Sequence, residues 1–269
     1  MSTPRSDDGP ARTRREPPRF RRLAVRTVEP LSARMTRVTL AGPELEGLQV
    51  DEPAASVRML LPAFPADGLV VPAWNGNEFL LPDGRRPIIR TFTPRRTDGG
   101  ARELDLDIVL HGAGAASQWA ATDAAPGIEV AISGPGRGYT IDPDAPAFLL
   151  AGDESAIPAI SQLLEELPGA TPTRVIIEVA RPDARLALPE HPSAVVGWHD
   201  LPVGSTPGDA LVAAVLATEI AADTRVWAAG EAAAMQRIRR HLFDDLAIPR
   251  AHTTVRGYWK NGRAGAEEK

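Results

Sequence analysis

Residues 147–160 read AFLLAGDESAIPAI, an apolar run followed by a glycine, two acids and the start of an amphipathic helix. Pro158 falls in the first helical turn, where proline is tolerated because its missing N–H would have no partner there. A strand that runs through a glycine turn directly into a helix is the repeating unit of parallel α/β sheets. The segment therefore predicts an α/β domain in the second half of the chain.

The same alternation of strand and helix continues toward the C-terminus. Apolar runs predict strands at 148–150, 174–179, 194–198, 225–228 and 253–258, and Ala/Leu-rich segments predict helices at 156–167, 208–217 and 231–246. Alternating elements of this kind form a mostly parallel sheet covered by helices. We therefore expect a Rossmann-like domain over residues 145–260, followed by a short tail at 261–269.

The N-terminal half has a different pattern. Short, branched apolar runs at 34–40, 57–61, 88–93, 104–110 and 128–133 are separated by prolines and glycines. This spacing predicts an antiparallel β-barrel over residues 19–144, with a short helix at 117–122. We expect a long loop at 62–87 with one strand near 78–81, a linker at 142–146, and a disordered, Arg- and Pro-rich tail at 1–18.

Composition limits the chemistry of the chain. Of its 269 residues 43% are hydrophobic and 24% charged, as in ordinary globular proteins, and no apolar run approaches the roughly 18–20 residues that span a bilayer. Without an apolar secretory segment, we expect a cytoplasmic protein that binds no membrane. The formal charge of −5 argues against nucleic-acid binding, which needs a cationic surface. Because cysteine is absent, we expect no disulfide, no thiolate-bound zinc and no cysteine-ligated iron–sulfur cluster, and any redox chemistry must use a bound organic cofactor. We also expect no protein metal site.

The stretch Arg90-Thr91-Phe92-Thr93 ends a predicted barrel strand. Since side chains alternate across a strand, Arg90 and Phe92 project to one face, and Thr91 and Thr93 to the other. An arginine fork suits a diphosphate and an aromatic ring packs on a flat heterocycle, so the first face suits a flavin dinucleotide. The alternative is a solvent-facing arginine beside a core phenylalanine.

The loop at 111–119 joins a barrel strand to the short helix. Its small residues let the backbone approach a ligand, and N–H groups at a helix start attract phosphate, so the loop is a candidate pyrophosphate seat. A tight turn with Trp119 in the core is the alternative. The candidate residues are His111, Gly112, Gly114, Ala116, Ser117 and Trp119. Farther on, residues 134–138 read GPGRG but lack the following helix of a dinucleotide fingerprint, so we interpret them as a turn that presents Arg137.

Two loops of the second domain share a strand–glycine–acid–helix arrangement. The first contains Gly152, Asp153, Glu154 and Ser155, and the second contains Gly230 and Glu231. Loops at the carboxyl edge of a parallel sheet bind ligands. Because acids repel a pyrophosphate, we expect the first loop to face the nicotinamide or flavin end of a ligand. The alternative is that these carboxylates simply complement the helix dipole. We also expect the two loops to frame one crevice.

In order and spacing, five of these segments resemble the siderophore-interacting protein family, a branch of FAD-dependent ferric reductases within the ferredoxin-reductase superfamily. The resemblance covers about residues 19–265 and rests on 90–95, 111–119, 152–160, 229–231 and 257–260. It implies a barrel that binds FAD and a Rossmann-like domain that accepts NADPH or NADH. Arg90 would contact the FAD phosphate, Phe92 would pack on the isoalloxazine, and Thr93 would approach its reactive edge. The family usually has Tyr at position 92 and Pro at position 115, where this chain has Phe92 and Ala115.

The resemblance also implies a substrate and a reaction. The family holds ferric siderophores near the flavin with basic residues, and the matching positions are Arg58, Arg137 and Lys260, the last beside Trp259 at the cofactor. We expect NAD(P)H to reduce FAD, which then reduces the Fe(III) of the siderophore, with no catalytic side chain. The alternatives are a reductase of the same fold that takes electrons from ferredoxin or reduces free flavin or a quinone, and a non-catalytic carrier of siderophore or flavin.

Overall fold

A computed structural model describes residues 19–62, 68–112 and 114–262. The expected tails at 1–18 and 263–269 lie outside the described residues, as do 63–67 and Ala113. The N-terminal half consists mainly of strands: β1 (Arg21–Ser32), β2 (Met35–Ala41), β3 (Val57–Leu61), β4 (Ala73–Trp74), β5 (Phe79–Leu80), β6 (Ile88–Phe92), β7 (Pro94–Asp98), β8 (Glu103–Val109) and β9 (Glu129–Ser133).

Strands β4 and β5 pair with each other, and the other seven form one antiparallel sheet in the order β6-β3-β9-β1-β2-β8-β7. Its two edge strands, β6 and β7, are consecutive in the chain and are joined by Thr93 alone. Because one residue spans less than 4 Å, the two edges of the sheet must meet at this residue. The sheet therefore curls into a barrel with its seam at Thr93, and the predicted barrel architecture is confirmed.

The barrel is filled by alternating side chains. Residues of β1, β2, β3, β8 and β9 that face inward form one buried apolar cluster. On β8 the alternate positions are Asp105 and Asp107, which are buried beside β2. Arg37 forms a bidentate ion pair with Asp107 at 2.7 and 2.8 Å, and the Thr39 hydroxyl donates to Asp105 at 2.7 Å. These cross-strand pairs match the register of β2 against β8 and help to fix it.

A short helix, α1 (Ala115–Gln118), follows β8 and continues into a wider turn at Trp119–Asp123. The second half contains β10 (Phe148–Asp153), α2 (Ile157–Glu166), β11 (Thr173–Val179), β12 (Ala194–Asp200), α3 (Asp209–Leu216), β13 (Arg225–Glu231), α4 (Ala232–Arg240) and β14 (Thr253–Trp259). The five strands are all parallel, in the order β12-β11-β10-β13-β14. The first strand of the domain, β10, is the central one, and later strands are added on both sides of it. This is a doubly wound sheet, so the predicted Rossmann-like domain is confirmed.

The sheet carries helices on both faces. Helix α2 packs on one face, and α3 and α4 pack on the other. Between β11 and β12 there is no α-helix in the described chain, and a short 3-10 turn at Pro182–Ala184 takes its place. No helix among the described residues is long and apolar enough to cross a bilayer.

Differences from the expected elements have simple causes. Strands β10 and β13 run on to Asp153 and Glu231, because a buried acid with hydrogen-bond partners can continue a strand that an apolar pattern ends earlier. The sequence also gave no sign of β7, whose residues PRRTD alternate poorly, or of the pairing of β4 with β5. Helix α4 passes after Arg240 into a wider, π-helical turn at His241–Asp245, so the helical segment ends within one residue of the predicted end at 246.

Helix α2 is held against the barrel seam. The amide of Gln162 accepts from the Ala54 backbone N–H at 2.9 Å and donates to the Pro94 carbonyl at 2.7 Å. One turn along the helix, Glu165 forms a bidentate pair with Arg95 at 2.6 and 3.0 Å. Helix α2 and the barrel seam are therefore fixed relative to each other by hydrogen bonds to backbone groups and by a side-chain ion pair.

Replacing Gln162 with Ala should lower the melting temperature by about 2–8 °C, because the Ala54 N–H and the Pro94 carbonyl each lose a partner, at a cost of about 1–2 kcal/mol in total. Glu166→Ala, an exposed position on the same helix, is the control and should change the melting temperature little. Equal melting temperatures of the two variants would mean that Gln162 does not hold the halves together.

Candidate functional site

The seam strand β6 places the first group of candidate residues. Its register pairs Phe92 with Val57, Thr91 with Arg58 and Arg90 with Met59. Phe92 is partly buried and packs against the barrel core, of which the fully buried Val57 and Met59 are part, so Arg90 and Phe92 share one face as predicted. The Arg90 guanidinium donates to the Ile89 carbonyl at 2.7 Å. Thr91 and Arg58 are exposed on the other face of the same two strands.

Thr93 lies at the seam itself and is buried. Its side chain lies beside the hydroxyl of Tyr258, near the end of β14. Burial raises the pKa of Tyr258 above its ordinary value, and the Thr93 side chain opposes that rise. The ring of Tyr258 packs edge-on against Trp227, with 6.3 Å between the ring centroids. The seam and the carboxyl edge of the parallel sheet are thus in direct contact.

The loop before α1 has the backbone features of a ligand seat. Gly112 and Gly114 have φ values of 72° and 86°, which favour glycine, and a Cβ at Gly112 would meet no protein atom within 4 Å. No side chain caps the start of α1 at Gly114. His111 is exposed, and its pKa is lowered by partial burial of the ring and by the positive charge of Arg34.

Two residues of this loop point inward instead. Ser117 is buried, and its hydroxyl accepts from the His111 backbone N–H at 2.9 Å. Trp119 is 3% exposed within the barrel core, and its Nε1 has no hydrogen-bond partner. For Trp119 the core alternative is therefore correct, and its ring does not line the loop. The reason is tertiary: the helix turns this position toward the barrel interior.

Asp153 is the centre of the second group. It is 6% exposed and its two oxygens accept four hydrogen bonds. Oδ1 accepts from the backbone N–H and the hydroxyl of Ser155, at 2.9 and 2.5 Å. Oδ2 accepts from the Glu231 N–H and from Trp259 Nε1, both at 2.8 Å. Burial raises the pKa of Asp153, and the four donors oppose that rise. One carboxyl group thereby ties together the ends of β10, β13 and β14.

The neighbouring acids also bond within the protein. Both carboxylate oxygens of Glu154 accept from the Nε–H of Arg34, at 2.9 and 3.0 Å, and Oε1 also accepts from the Ala180 N–H at 2.9 Å. Glu231 caps α4, accepting from the N–H groups of Ala233 and Ala234 at 2.6 and 2.9 Å. The carboxylates expected to face a ligand are thus directed inward, where they bond to backbone N–H groups and to one arginine.

The predicted crevice between the two acidic loops is filled by protein atoms next to the two loop glycines. A Cβ built at Gly230 would lie 2.5 Å from Asp153 Oδ2, and one at Gly152 would lie 2.3 Å from the Ala156 Cβ. Both glycines are required by close packing of protein against protein. An open surface lies only beyond these loops, where the Trp259 ring is 38% exposed.

The three predicted substrate residues lie on three different elements. Arg58 projects from the outer face of β3, and Lys260 is exposed just beyond β14. Arg137 is exposed in the turn at 134–138 and lines a cavity of about 510 Å³ together with Arg225 and Arg256. That turn is fixed to the second domain, because Arg256 donates to the carbonyls of Arg137 and Gly138 at 3.2 and 2.8 Å. Their joint action on one substrate stays a prediction.

Sequence reasoning missed several residues that build the site. Arg34, Gln162, Tyr258 and Arg256 all connect the barrel to the parallel sheet. Glu178 accepts from the N–H groups of Gly208 and Leu211 at 2.6 and 2.9 Å and so holds the start of α3. A signal existed for Glu178, since an acid inside the strand VIIEV needs buried partners.

Comparison with known proteins agrees with this arrangement. The model for a siderophore-interacting FAD-binding domain matches residues 24–139, and the siderophore-interacting protein model matches residues 145–262. The crystal structure of a siderophore utilization protein from T. fusca superimposes on this structure with a TM-score of 0.81 and 34% sequence identity. The match covers 93% of this chain and 95% of that chain. Ferric vibriobactin reductase of Vibrio cholerae is 28% identical over 87% of this chain and 86% of the relative. The fold is shared with a ferredoxin reductase of carbazole 1,9a-dioxygenase, which is 15% identical. The TM-score is 0.61, over 90% of this chain and 70% of that one.

Replacing Asp153 with Asn tests the buried carboxylate. The amide offers one acceptor oxygen and turns an NH2 group toward two of the four donors, so we expect a loss of about 2–4 kcal/mol in unfolding free energy by denaturant titration. Quenching of tryptophan emission by acrylamide should also increase, and Trp259→Phe should abolish that increase. If Asp153→Asn is as stable as the wild type, the carboxyl is protonated in the folded state, because asparagine mimics the neutral acid.

Proposed function

Because this chain belongs to the siderophore-interacting protein family, we propose that it is a flavin-dependent reductase that passes electrons from NAD(P)H to the Fe(III) of a ferric siderophore and releases Fe(II). The observation that carries the proposal is the seam of the barrel. There, the strand that carries Arg90 and Phe92 reaches the carboxyl edge of the parallel sheet, where Thr93 lies beside Tyr258.

The residues present suit FAD. Arg90 offers a guanidinium for a phosphate, the partly buried Phe92 offers a ring for the isoalloxazine, and the loop at Gly112 and Gly114 offers uncapped backbone N–H groups. When bound, FAD would take two electrons from a dihydronicotinamide and return them singly to Fe(III). The protein's part is to orient that group at the seam and to support it with Thr93 and Tyr258.

The iron would arrive inside its chelator. Within the described ranges no three His, Asp or Glu side chains are grouped so that they could hold a metal ion. Fe(II) binds oxygen-rich chelators much more weakly than Fe(III), so reduction alone would release it. Arg58, Arg137 and Lys260 are exposed cations that would attract an anionic chelate to this side of the molecule. Ferric vibriobactin reductase, a relative over most of the chain, supports this choice of substrate.

The rival proposal is a carrier that binds a siderophore without reducing it. A carrier has no need of a second domain, whereas here a full five-stranded sheet with two buried apolar clusters is attached firmly to the barrel. The reductase is therefore favoured. A carrier would bind the ferric chelate and leave the reduced flavin unchanged.

The purified protein should carry FAD, and Arg90→Ala should weaken its binding at least tenfold, since a hydrogen bond between charged groups contributes about 1.5–3 kcal/mol. Arg85→Ala is the control, because Arg85 is exposed and pairs locally with Asp83. The measurements are the flavin absorbance of the purified variants and fluorescence titration of each apoprotein with FAD. An unchanged dissociation constant in Arg90→Ala would remove Arg90 from the flavin site.

Dithionite-reduced protein should be reoxidised anaerobically by a ferric siderophore, with Fe(II) trapped by a colorimetric chelator. Changing Arg58 and Lys260 together to Ala should raise the Michaelis constant for an anionic ferric chelate about three- to tenfold at low ionic strength, and less in high salt, where charges are screened. A neutral chelate should be less affected.

Arg102→Ala, which removes an exposed cation paired with Glu46, is the matched control. Absence of any reoxidation would contradict the reductase proposal. If the Michaelis constants for both chelates rise equally, the two residues act through stability or flavin placement. If neither constant changes, the two residues are surface charges without a role in substrate binding.

A further inference from the structure

Three helices of the described chain begin at the carboxyl edge of the parallel sheet. A buried carboxylate accepts from N–H groups at the starts of α3 and α4, and another accepts from the N–H of Ser155 in the short 3-10 turn that precedes α2. Asp153 accepts from Ser155 before α2, Glu178 accepts from Gly208 and Leu211 at α3, and Glu231 accepts from Ala233 and Ala234 at α4. The three acids are 3–6% exposed. The same N–H groups bind the pyrophosphate of a dinucleotide in Rossmann-type domains.

The glycines at this edge do not leave room for a phosphate either. A Cβ at Gly152 would meet Ala156 at 2.3 Å, one at Gly208 would meet Ala234 at 2.3 Å, and one at Gly230 would meet Asp153 at 2.5 Å. In a dinucleotide site the glycines bring the backbone close to the ligand. Here each glycine brings one part of the protein close to another.

The cations that follow β11, where a 2′-phosphate would be recognised, already have acidic partners. Arg181 pairs with Asp183 at 2.7 Å, and Arg185 pairs with Asp200 at 2.6 Å. Arg34 is held by Glu154, whose two carboxylate oxygens both accept from its Nε–H. A phosphate at this edge would have to displace carboxylates from arginines and from backbone N–H groups.

A pyrophosphate of NAD(P)H therefore does not fit the starts of α3 and α4 or the turn before α2, because their N–H groups are already bonded to acids. We propose that the protein recognises its electron donor by the dihydronicotinamide ring at the flavin, without a phosphate site, and so accepts NADH, NADPH and truncated dihydronicotinamides alike. This proposal rests on the reductase function above, of which it specifies the donor.

The test uses the full, FAD-loaded chain. Flavin bleaching would be followed anaerobically by stopped flow with NADH, NADPH and reduced nicotinamide mononucleotide, which lacks the adenylate half. We expect observed rates that rise linearly with donor up to millimolar concentration, and second-order constants within about threefold of one another. Saturation at micromolar NADH or NADPH, or a more than tenfold advantage of either over the truncated donor, would overturn the proposal.

A binding measurement gives a readout that does not depend on turnover. Calorimetric titration with 2′,5′-ADP and with ADP-ribose should show no saturable binding below millimolar concentration, and micromolar binding of either would contradict the proposal. Arg181→Ala and Arg185→Ala should leave the ratio of NADPH to NADH rates unchanged within twofold, whereas a selective loss with NADPH would reveal a phosphate site there. Reoxidation of dithionite-reduced protein by a ferric siderophore tests the reductase function separately, because it bypasses the donor.

Discussion

The connection of β6 to β7 through Thr93 alone is the constraint on which the rest of the structure depends. It forces the two edges of the first sheet to meet, so the barrel closes at this point. The second domain is attached at the same point: Gln162 bonds to the Pro94 carbonyl, Glu165 pairs with Arg95, and Tyr258 lies beside Thr93. Barrel closure and domain attachment therefore share one short segment, which also carries the candidate flavin residues.

A group of buried acids organises the opposite side of this junction. Burying carboxylates is costly unless each oxygen has donors, and here Asp153, Glu154, Glu178 and Glu231 accept from backbone N–H groups, an indole and one arginine. These bonds hold the strand ends and helix starts of the second sheet in fixed positions. The result is a firm edge next to the seam, well suited to support a flat cofactor bound on the barrel.

The two domains differ in the groups that they offer to a ligand. The uncapped loop at Gly112 and Gly114 and the face of Arg90 and Phe92 offer groups for a phosphate and a flat ring. At the carboxyl edge of the parallel sheet, buried acids accept from the N–H groups at the starts of α3 and α4.

The sequence by itself determined the two fold classes, the order of nearly all elements and the sharing of one face by Arg90 and Phe92, because these follow from local periodicity. It also excluded cysteine chemistry. Only the tertiary structure decided which groups meet: Arg34 with Glu154, 120 residues apart, and Trp259 with Asp153, 106 residues apart. It also turned Trp119 into the core and the acids inward. Local patterns carry no information on such pairings, since they arise when distant strands are brought to one edge of a sheet.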